Sequence, residues 1–184
     1  NRFRVLCAVH QGPQGTALVN AAIERGLRDA GCPIPSDDPW YPGRPLLVTR
    51  NDYSLDLFNG DVGICLSDRS RGGRNAVWFE RPDGRLRSVL PSRLPQCETV
   101  FAMTVHKSQG SEFDEVLVVL PEHGSPVLSR ELVYTAITRA RTSVRLSARR
   151  EVLTLAIARS LDRFSGLAGM LGTPAARVIS SLNG

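Results

Sequence analysis

Two stretches of this chain carry residue types that handle phosphates and sugar hydroxyls. The first, Phe101-Ala-Met-Thr-Val-His-Lys-Ser-Gln-Gly-Ser-Glu-Phe-Asp114, reads as a strand running into a polar, glycine-containing turn. The second, Leu132-Val-Tyr-Thr-Ala-Ile-Thr-Arg-Ala140, reads as an amphipathic helix with a lone arginine near its end. A strand feeding a glycine turn is expected to place backbone N–H groups and short polar side chains at the carboxyl edge of a sheet, where open α/β sheets bind ligands. Glu112, just past Gly110, could accept hydrogen bonds from ribose hydroxyls. Thr104 and His106 alternate from one face of the strand end, where a nucleic-acid backbone could meet them. On the helix, Leu132, Val133, Ala136, Ile137 and Ala140 form an apolar stripe, Glu131, Thr135 and Thr138 lie opposite, and Arg139 falls at the stripe's edge. A guanidinium there could pass the packed face and meet developing charge on a transferring phosphoryl group. The other reading of Arg139 is a surface arginine snorkelling at a helix end, where the dipole favours it.

The elements that must position these residues alternate. Residues 2–10 read as a buried strand and Gln11-Gly-Pro-Gln-Gly15 as a loop. Thr16 is the expected N-cap of a helix whose stripe is Leu18, Val19, Ala22, Ile23 and Leu27, with Gly31 ending it. Five prolines between Cys32 and Pro45 mark a linker. Short β-like runs then follow at 46–49, 61–66, 76–80 and 86–90, separated by Asn59-Gly60, Arg71-Gly-Gly-Arg74 and Pro82-Asp-Gly84, the pattern of a small antiparallel barrel. Longer β-α units resume with strands at 98–105 and 115–120, a helix at 129–140, a strand at 143–148 and a helix at 150–159. The fold expected is α/β, a parallel-sheet domain interrupted by a barrel-like insert.

Composition narrows the function. Among 184 residues the 23 Lys and Arg, of which only Lys107 is lysine, outweigh the 18 Asp and Glu, for a net charge of +5. That balance favours an anionic partner, nucleic acid first. Seven arginines of the insert, at 69, 71, 74, 81, 85, 87 and 93, could touch phosphates. Trp78 and Phe79 are neighbours on one strand, so alternation sends one inward as barrel core and one outward, where it could stack on a base. The cysteines, at 7, 32, 65 and 97, and the histidines, at 10, 106 and 123, are too scattered for a zinc site, and no metal site is expected. Asp52, Asp56 and Asp61 form no recognisable metal-binding cluster, which argues against a nuclease. No apolar run approaches membrane-spanning length and no charged-then-apolar leader opens the chain, so the expected location is cytoplasmic. No G-x-x-x-x-G-K-[ST] phosphate loop occurs, and the chain opens on Asn1; the expectation is a piece of a longer ATP-driven protein.

The strings Thr104-Val-His-Lys-Ser-Gln-Gly-Ser-Glu-Phe-Asp114 and Glu131-Leu-Val-Tyr-Thr-Ala-Ile-Thr-Arg-Ala-Arg141 resemble motifs V and VI of superfamily 1 helicases, and specifically those of the RecD family, the alpha subunits of exodeoxyribonuclease V. Val48–Gly63 also resembles that family, where it leads into an SH3-like insert, and Val5–Thr16 resembles its motif IV region. The likeness runs to Leu171. It implies a RecA-like motor domain over residues 1–45 and 98–171, of the type found in P-loop NTPases, an SH3-like β-barrel insert over 46–97, and a tail over 172–184. It implies 5′-to-3′ movement on single-stranded DNA driven by ATP with Mg²⁺, both bound mainly by an N-terminal motor domain outside this chain. Position by position, it implies that Arg139 is the finger on the γ-phosphate with Thr138 beside it, that Glu112 binds ribose, and that Gln109 and Gly110 line the nucleotide cleft. It implies that Thr104, His106 and Lys107 couple that cleft to DNA. Asn51, Asn59 and Gly60 would shape the loop where insert meets motor, near the DNA path; they are also ordinary turn formers. The implied partners are single-stranded DNA and the beta and gamma subunits of exodeoxyribonuclease V. Many superfamily 1 helicases have a second phosphate-sensing arginine in motif IV, and Val5–Thr16 has none; Gln11 or Gln14 could make a weaker contact. The rival from another class is a non-catalytic DNA- or protein-binding module built on an SH3-like domain, in which Arg139 is structural.

Overall fold

A computed structural model describes residues 2–69 and 72–160 of the chain. Arg71, the stretch 161–171 and the tail 172–184 lie outside the described residues.

The chain builds two sheets. Four strands form a parallel sheet: β1 (Phe3–Cys7), β7 (Ala102–Thr104), β8 (Phe113–Val119) and β9 (Ala140–Ser147), in the order β7-β1-β8-β9. Helices cover both faces, as a parallel sheet requires. Helix α1 (Thr16–Asp29) lays Val19 and Ile23 on Val5, Cys7 and Ala102. On the other face α2 (Arg130–Ile137) and α3 (Arg150–Ala158) bring Leu132, Val133, Ala136, Val152 and Ala156 onto Leu6, Met103, Phe113, Val116 and Val118. Helix α1 closes in the left-handed manner expected of Gly31: the Gly31 and Cys32 N–H groups bond the Arg28 and Leu27 carbonyls at 2.9 Å each.

The second sheet is antiparallel and five-stranded, in the order β5-β4-β3-β2-β6: β2 (Pro45–Val48), β3 (Val62–Asp68), β4 (Arg74–Glu80), β5 (Leu86–Val89) and β6 (Cys97–Thr99). Its core is Leu46, Val48, Leu55, Leu57, Cys65, Val77, Phe79 and Val89. No ladder joins β5 to β6 among the described residues, so the recorded pairing is that of an open sheet. Strand β2 serves both cores, with Leu46 and Val48 in this one and Leu47 in the core under α2 and α3.

Several local expectations change: the helix expected over 129–140 stops at Ile137, and Ala140, placed in its stripe, opens β9 instead. The stretch 98–105 is two strands, β6 in the antiparallel sheet and β7 in the parallel one. The break falls at Val100, whose N–H bonds the Pro45 carbonyl (3.0 Å) and whose carbonyl accepts from the buried Arg4 guanidinium. Gly15, not Thr16, caps α1, and Thr16 is buried with its hydroxyl 2.7 Å from His10 Nδ1. Leu18, assigned to the stripe, is 56% exposed, while Val19 and Ile23 of that set pack on β1 and β7. 

Gly63 offers a direct test of the antiparallel core. A Cβ there would lie 2.7 Å from both Phe79 Cε1 and Val77 Cγ1, closer than packed carbons approach. Gly63→Ala is expected to destabilise the chain by about 1–3 kcal/mol, the range of core overpacking, measured by urea denaturation.

Candidate nucleotide and nucleic-acid site

The segment from Thr104 to Phe113 crosses the parallel sheet from one edge to the other. Thr104 pairs with Cys7, the last residue of β1, so it sits at the carboxyl edge. Glu115 pairs with Phe3, the first residue of β1, and Phe113 lies still further toward the amino edge, opposite Ala140. The site expected wholly at the carboxyl edge is therefore divided. Thr104, His106 and Lys107 stand at the carboxyl edge; Gly110, Ser111 and Glu112 lead into the amino edge, where Thr138 and Arg139 end α2.

At the carboxyl edge, residues 106–108 form one 3₁₀ turn, so His106 does not continue the strand's alternation. The Thr104 hydroxyl accepts from the Lys107 N–H (3.3 Å), and His106 is exposed. Lys107 Nζ lies 2.6 Å from Glu98 Oε1 on β6, tying the turn to the antiparallel sheet. Ser108, fully buried, donates its hydroxyl to the Val105 carbonyl at 2.7 Å. Beside this edge lies a cavity of about 260 Å³ lined by His10, Thr16, Asn20, Glu24, Glu98 and Thr99. Asn20 fixes its wall: the amide donates to the Ala102 carbonyl (2.9 Å) and accepts from the Ala102 N–H (2.8 Å), satisfying the outer edge of β7.

At the amino edge, Gln109 and Gly110 are exposed, and Gly110 holds φ +83°, a conformation other residues rarely adopt. Ser129 caps α2, accepting from the Leu132 N–H at 3.2 Å. The helix ends at Thr138. Arg139 then donates from Nε to the Thr135 carbonyl (3.2 Å), from one terminal nitrogen to the Ser111 carbonyl (3.2 Å) and from the other to the Thr138 hydroxyl (3.3 Å). Its own carbonyl accepts from the Phe113 N–H at 2.8 Å. The side-chain bonds are longer than the usual 2.9–3.0 Å mode and go to neutral acceptors. Arg139 thus rests, half-buried, against the Gly110 loop with no carboxylate partner among the described contacts. Glu112 pairs instead with Arg141 at 3.1 Å, an exposed pair of the kind worth at most about 1 kcal/mol.

Asn51, Asn59 and Gly60 come together with each other on the antiparallel sheet, not with Arg139. Asn51 Oδ1 accepts from the Asn59 N–H at 2.8 Å, and Gly60 turns at φ +106° before its N–H bonds the Val48 carbonyl. The same loop carries Tyr53 and Phe58, exposed aromatics that the sequence reading passed over. Of the aromatics it singled out, Phe79 is core and Trp78 is half-buried. Among the insert arginines, Arg81 pairs with Asp56 at 2.5 Å, Arg85 with Asp83 at 3.8 Å, and Arg87 donates to the Leu55 carbonyl. Arg4 points inward over the Phe113 ring (5.2 Å to the centroid), so it cannot serve as a second phosphate contact.

Comparison with known proteins bears on this arrangement. The family described as the UvrD-like helicase C-terminal domain matches residues 99–147, which contain both edges of the site. The RecBCD enzyme subunit RecD of Mycobacterium tuberculosis is 45% identical over 167 residues, 91% of this chain and 28% of the relative. The Haemophilus influenzae subunit of the same name is 38% identical over 93% of this chain and 25% of its own length. This chain is a relative of RecD. It fits the C-terminal portion of RecD and spans about a quarter of the length of these curated relatives. The ATP-dependent RecD2 DNA helicase of Deinococcus radiodurans is 37% identical over 75% of the chain and 19% of its own length. A Bacteroides Pif1 helicase structure, in complex with ADP-AlF3 and ssDNA, aligns over 80% of this chain and 41% of its own, with a TM-score of 0.49 and 19% identity.

The loop bearing Asn51 and Asn59 makes a pH-dependent prediction. Asp52 is held below the ordinary carboxylate range by the Ser54 hydroxyl first, then by the Leu55 and Ser54 N–H groups and the Arg93 charge. A depressed folded-state pKa stabilises the loop fully above the unfolded value of about 3.9, and that contribution disappears as pH falls through the lower folded value. The Ser54 and Leu55 amide signals should titrate below about pH 4 in NMR spectra, and Asp52→Asn should abolish that step.

Proposed function

We propose that this RecD relative supplies the second motor domain, with an SH3-like insert, of an ATP-dependent 5′-to-3′ DNA helicase subunit of exodeoxyribonuclease V, acting in double-strand-break repair and recombination. The observation that carries the reading is Arg139, a charged fork set against the Gly110–Glu112 loop by weak neutral contacts. The parallel sheet with helices on both faces supports a RecA-like unit, and the five-stranded antiparallel sheet supports the insert.

The amino-edge residues fit a nucleotide. Arg139 would leave its carbonyl partners and neutralise charge on the γ-phosphate, with Thr138 orienting it. Glu112 would exchange Arg141 for ribose hydroxyls, and Gln109 and Gly110 would line the cleft. ATP with Mg²⁺ supplies the phosphoryl group whose transfer drives movement. Its phosphate loop and metal-binding carboxylate are assigned to the longer parent's other motor domain, because no phosphate loop occurs in these 184 residues. At the carboxyl edge, Thr104, His106 and Lys107 would meet single-stranded DNA, with Asn51, Asn59 and Gly60 beside its path. Residues 105–112 join the two groups of site residues directly, so closure around nucleotide would shift the DNA contacts. The beta and gamma subunits of exodeoxyribonuclease V would be its protein partners, in the cytoplasm; no helix among the described residues is long and apolar enough to cross a membrane.

The test is DNA-stimulated ATP hydrolysis by the full-length parent. Arg139→Ala should lower kcat several hundredfold or more, against the 10³–10⁵ that such a finger typically contributes, while the isolated chain turns over no ATP. Unchanged turnover in Arg139→Ala would make the arginine structural and favour a non-catalytic binding module.

A further inference from the structure

The loop between β2 and β3 is built as a rigid support for two outward-facing rings. Asp52 and Leu57 form an antiparallel bridge with backbone bonds of 2.7 and 3.0 Å. Leu55 and Leu57 are pegs, both buried in the antiparallel core. Asp52 Oδ1 accepts from Ser54 and Leu55, Asp61 Oδ2 accepts from the Phe58 N–H at 2.8 Å, and Asp56 is held by Arg81. The loop's carboxylates are thus engaged in holding its backbone. The backbones of Tyr53 and Phe58 join that bonding and Asn51 Nδ2 donates to the Tyr53 hydroxyl at 3.4 Å, but the two rings project outward from it. Tyr53 is 78% exposed and Phe58 42% exposed, with ring centroids 6.0 Å apart at 75°. An edge-on contact of this kind fixes both rings and leaves a ring face open.

The surroundings select what could cover that face. Arg50, exposed, precedes the loop, and exposed Arg93 is close enough to act on the Asp52 carboxylate. A hollow of about 80 Å³ beside Leu55 is lined by Arg87, Ser88 and Arg93. Open aromatic faces interleaved with guanidiniums match unpaired bases strung on phosphates, whereas an apolar protein surface would leave the arginines unmatched.

We infer that Tyr53, braced by Phe58, is a stacking platform for an unpaired base of single-stranded DNA, with Arg50 and Arg93 placed for the flanking phosphates. This rests on the DNA-binding reading above and adds to it the residue that grips a base. The stack is sequence-tolerant, since every base has a π face.

The test compares the full chain and its variants, by fluorescence anisotropy, on labelled oligodeoxythymidylate and on an abasic deoxyribose-phosphate strand of equal length. Tyr53→Ala should weaken oligodeoxythymidylate binding by about fivefold to a hundredfold, the effect of losing one base–aromatic stack, and leave abasic binding unchanged. Tyr53→Phe should retain the wild-type affinity, which separates lost stacking from a disturbed loop. Arg93→Ala should weaken both strands and flatten their salt dependence. Equal binding by wild type and Tyr53→Ala, or an equal loss on both strands, overturns the platform while the DNA reading stands. Failure of the wild-type chain to bind either strand overturns the DNA reading and the platform with it.

Discussion

The arrangement depends on one connection having to cross a sheet. Strands β7 and β8 run parallel on either side of β1, so the chain leaving β7 at the carboxyl edge must return to the amino edge before β8 can start. It does so in residues 105–112, with Val105 and Phe113 sunk in the core at either end and Ser108 buried between them. At the far end the Phe113 N–H bonds the Arg139 carbonyl, and the Arg139 side chain bonds the Ser111 carbonyl. The arginine is thereby fixed to the crossing segment by backbone and side chain alike. The segment is short and pinned at Val105, Ser108 and Phe113, while His106, Lys107, Gln109 and Gly110 stay exposed between those points.

A second constraint joins this crossing to the antiparallel sheet. Arg4 is 8% exposed, spans from the Val100 carbonyl to the Phe113 ring, and leaves Nε without a partner. A charge buried in that way is costly, and burial pulls its pKa down. What it holds together is the point where β6 hands over to β7 and the residue at which β8 begins. Leu47 of β2, packed in the α/β core, and the Lys107–Glu98 pair join the same two sheets nearby. The loop bearing Tyr53 and Phe58 follows directly from β2, so the antiparallel sheet presents that loop from a frame anchored at several points.

Much of this was legible in the sequence because it rests on local patterns. The Asn59-Gly60 turn, the glycine at 110, the Ser129 start of α2 and the alternation of strands with helices all follow from residue type and spacing. The polar turn and the arginine following α2 form a specific string in the sequence, and the structure sets Arg139 against Ser111 of that turn. What escaped depends on pairing across the chain. Nothing between Glu98 and Val105 interrupts an extended pattern, so the handover at Val100 is visible only once Cys97–Thr99 pair with β2 and Ala102–Thr104 with β1. The division of the site between two edges follows from strand order, which spacing does not encode. Thr16 has the chemistry of a cap, but Gly15 lies against the His10 carbonyl with no room for a Cβ (2.5 Å), which moves the helix start and sends the Thr16 hydroxyl to His10. Tyr53 and Phe58 carry no sequence pattern that marks them as exposed; Phe79 is needed in the core, and only the fold shows which rings are left outside.

Arg139 is proposed to act on charge present in the transition state rather than on bound nucleotide in general. The most direct measurement is the affinity of the full-length parent for ADP and for ADP with aluminium fluoride, a mimic of the transferring phosphoryl group, in wild type and Arg139→Ala. A transition-state contact predicts that the variant keeps its ADP affinity and loses most of the extra affinity conferred by aluminium fluoride. Retention of that extra affinity by the variant, or an equal loss for both ligands, would contradict it.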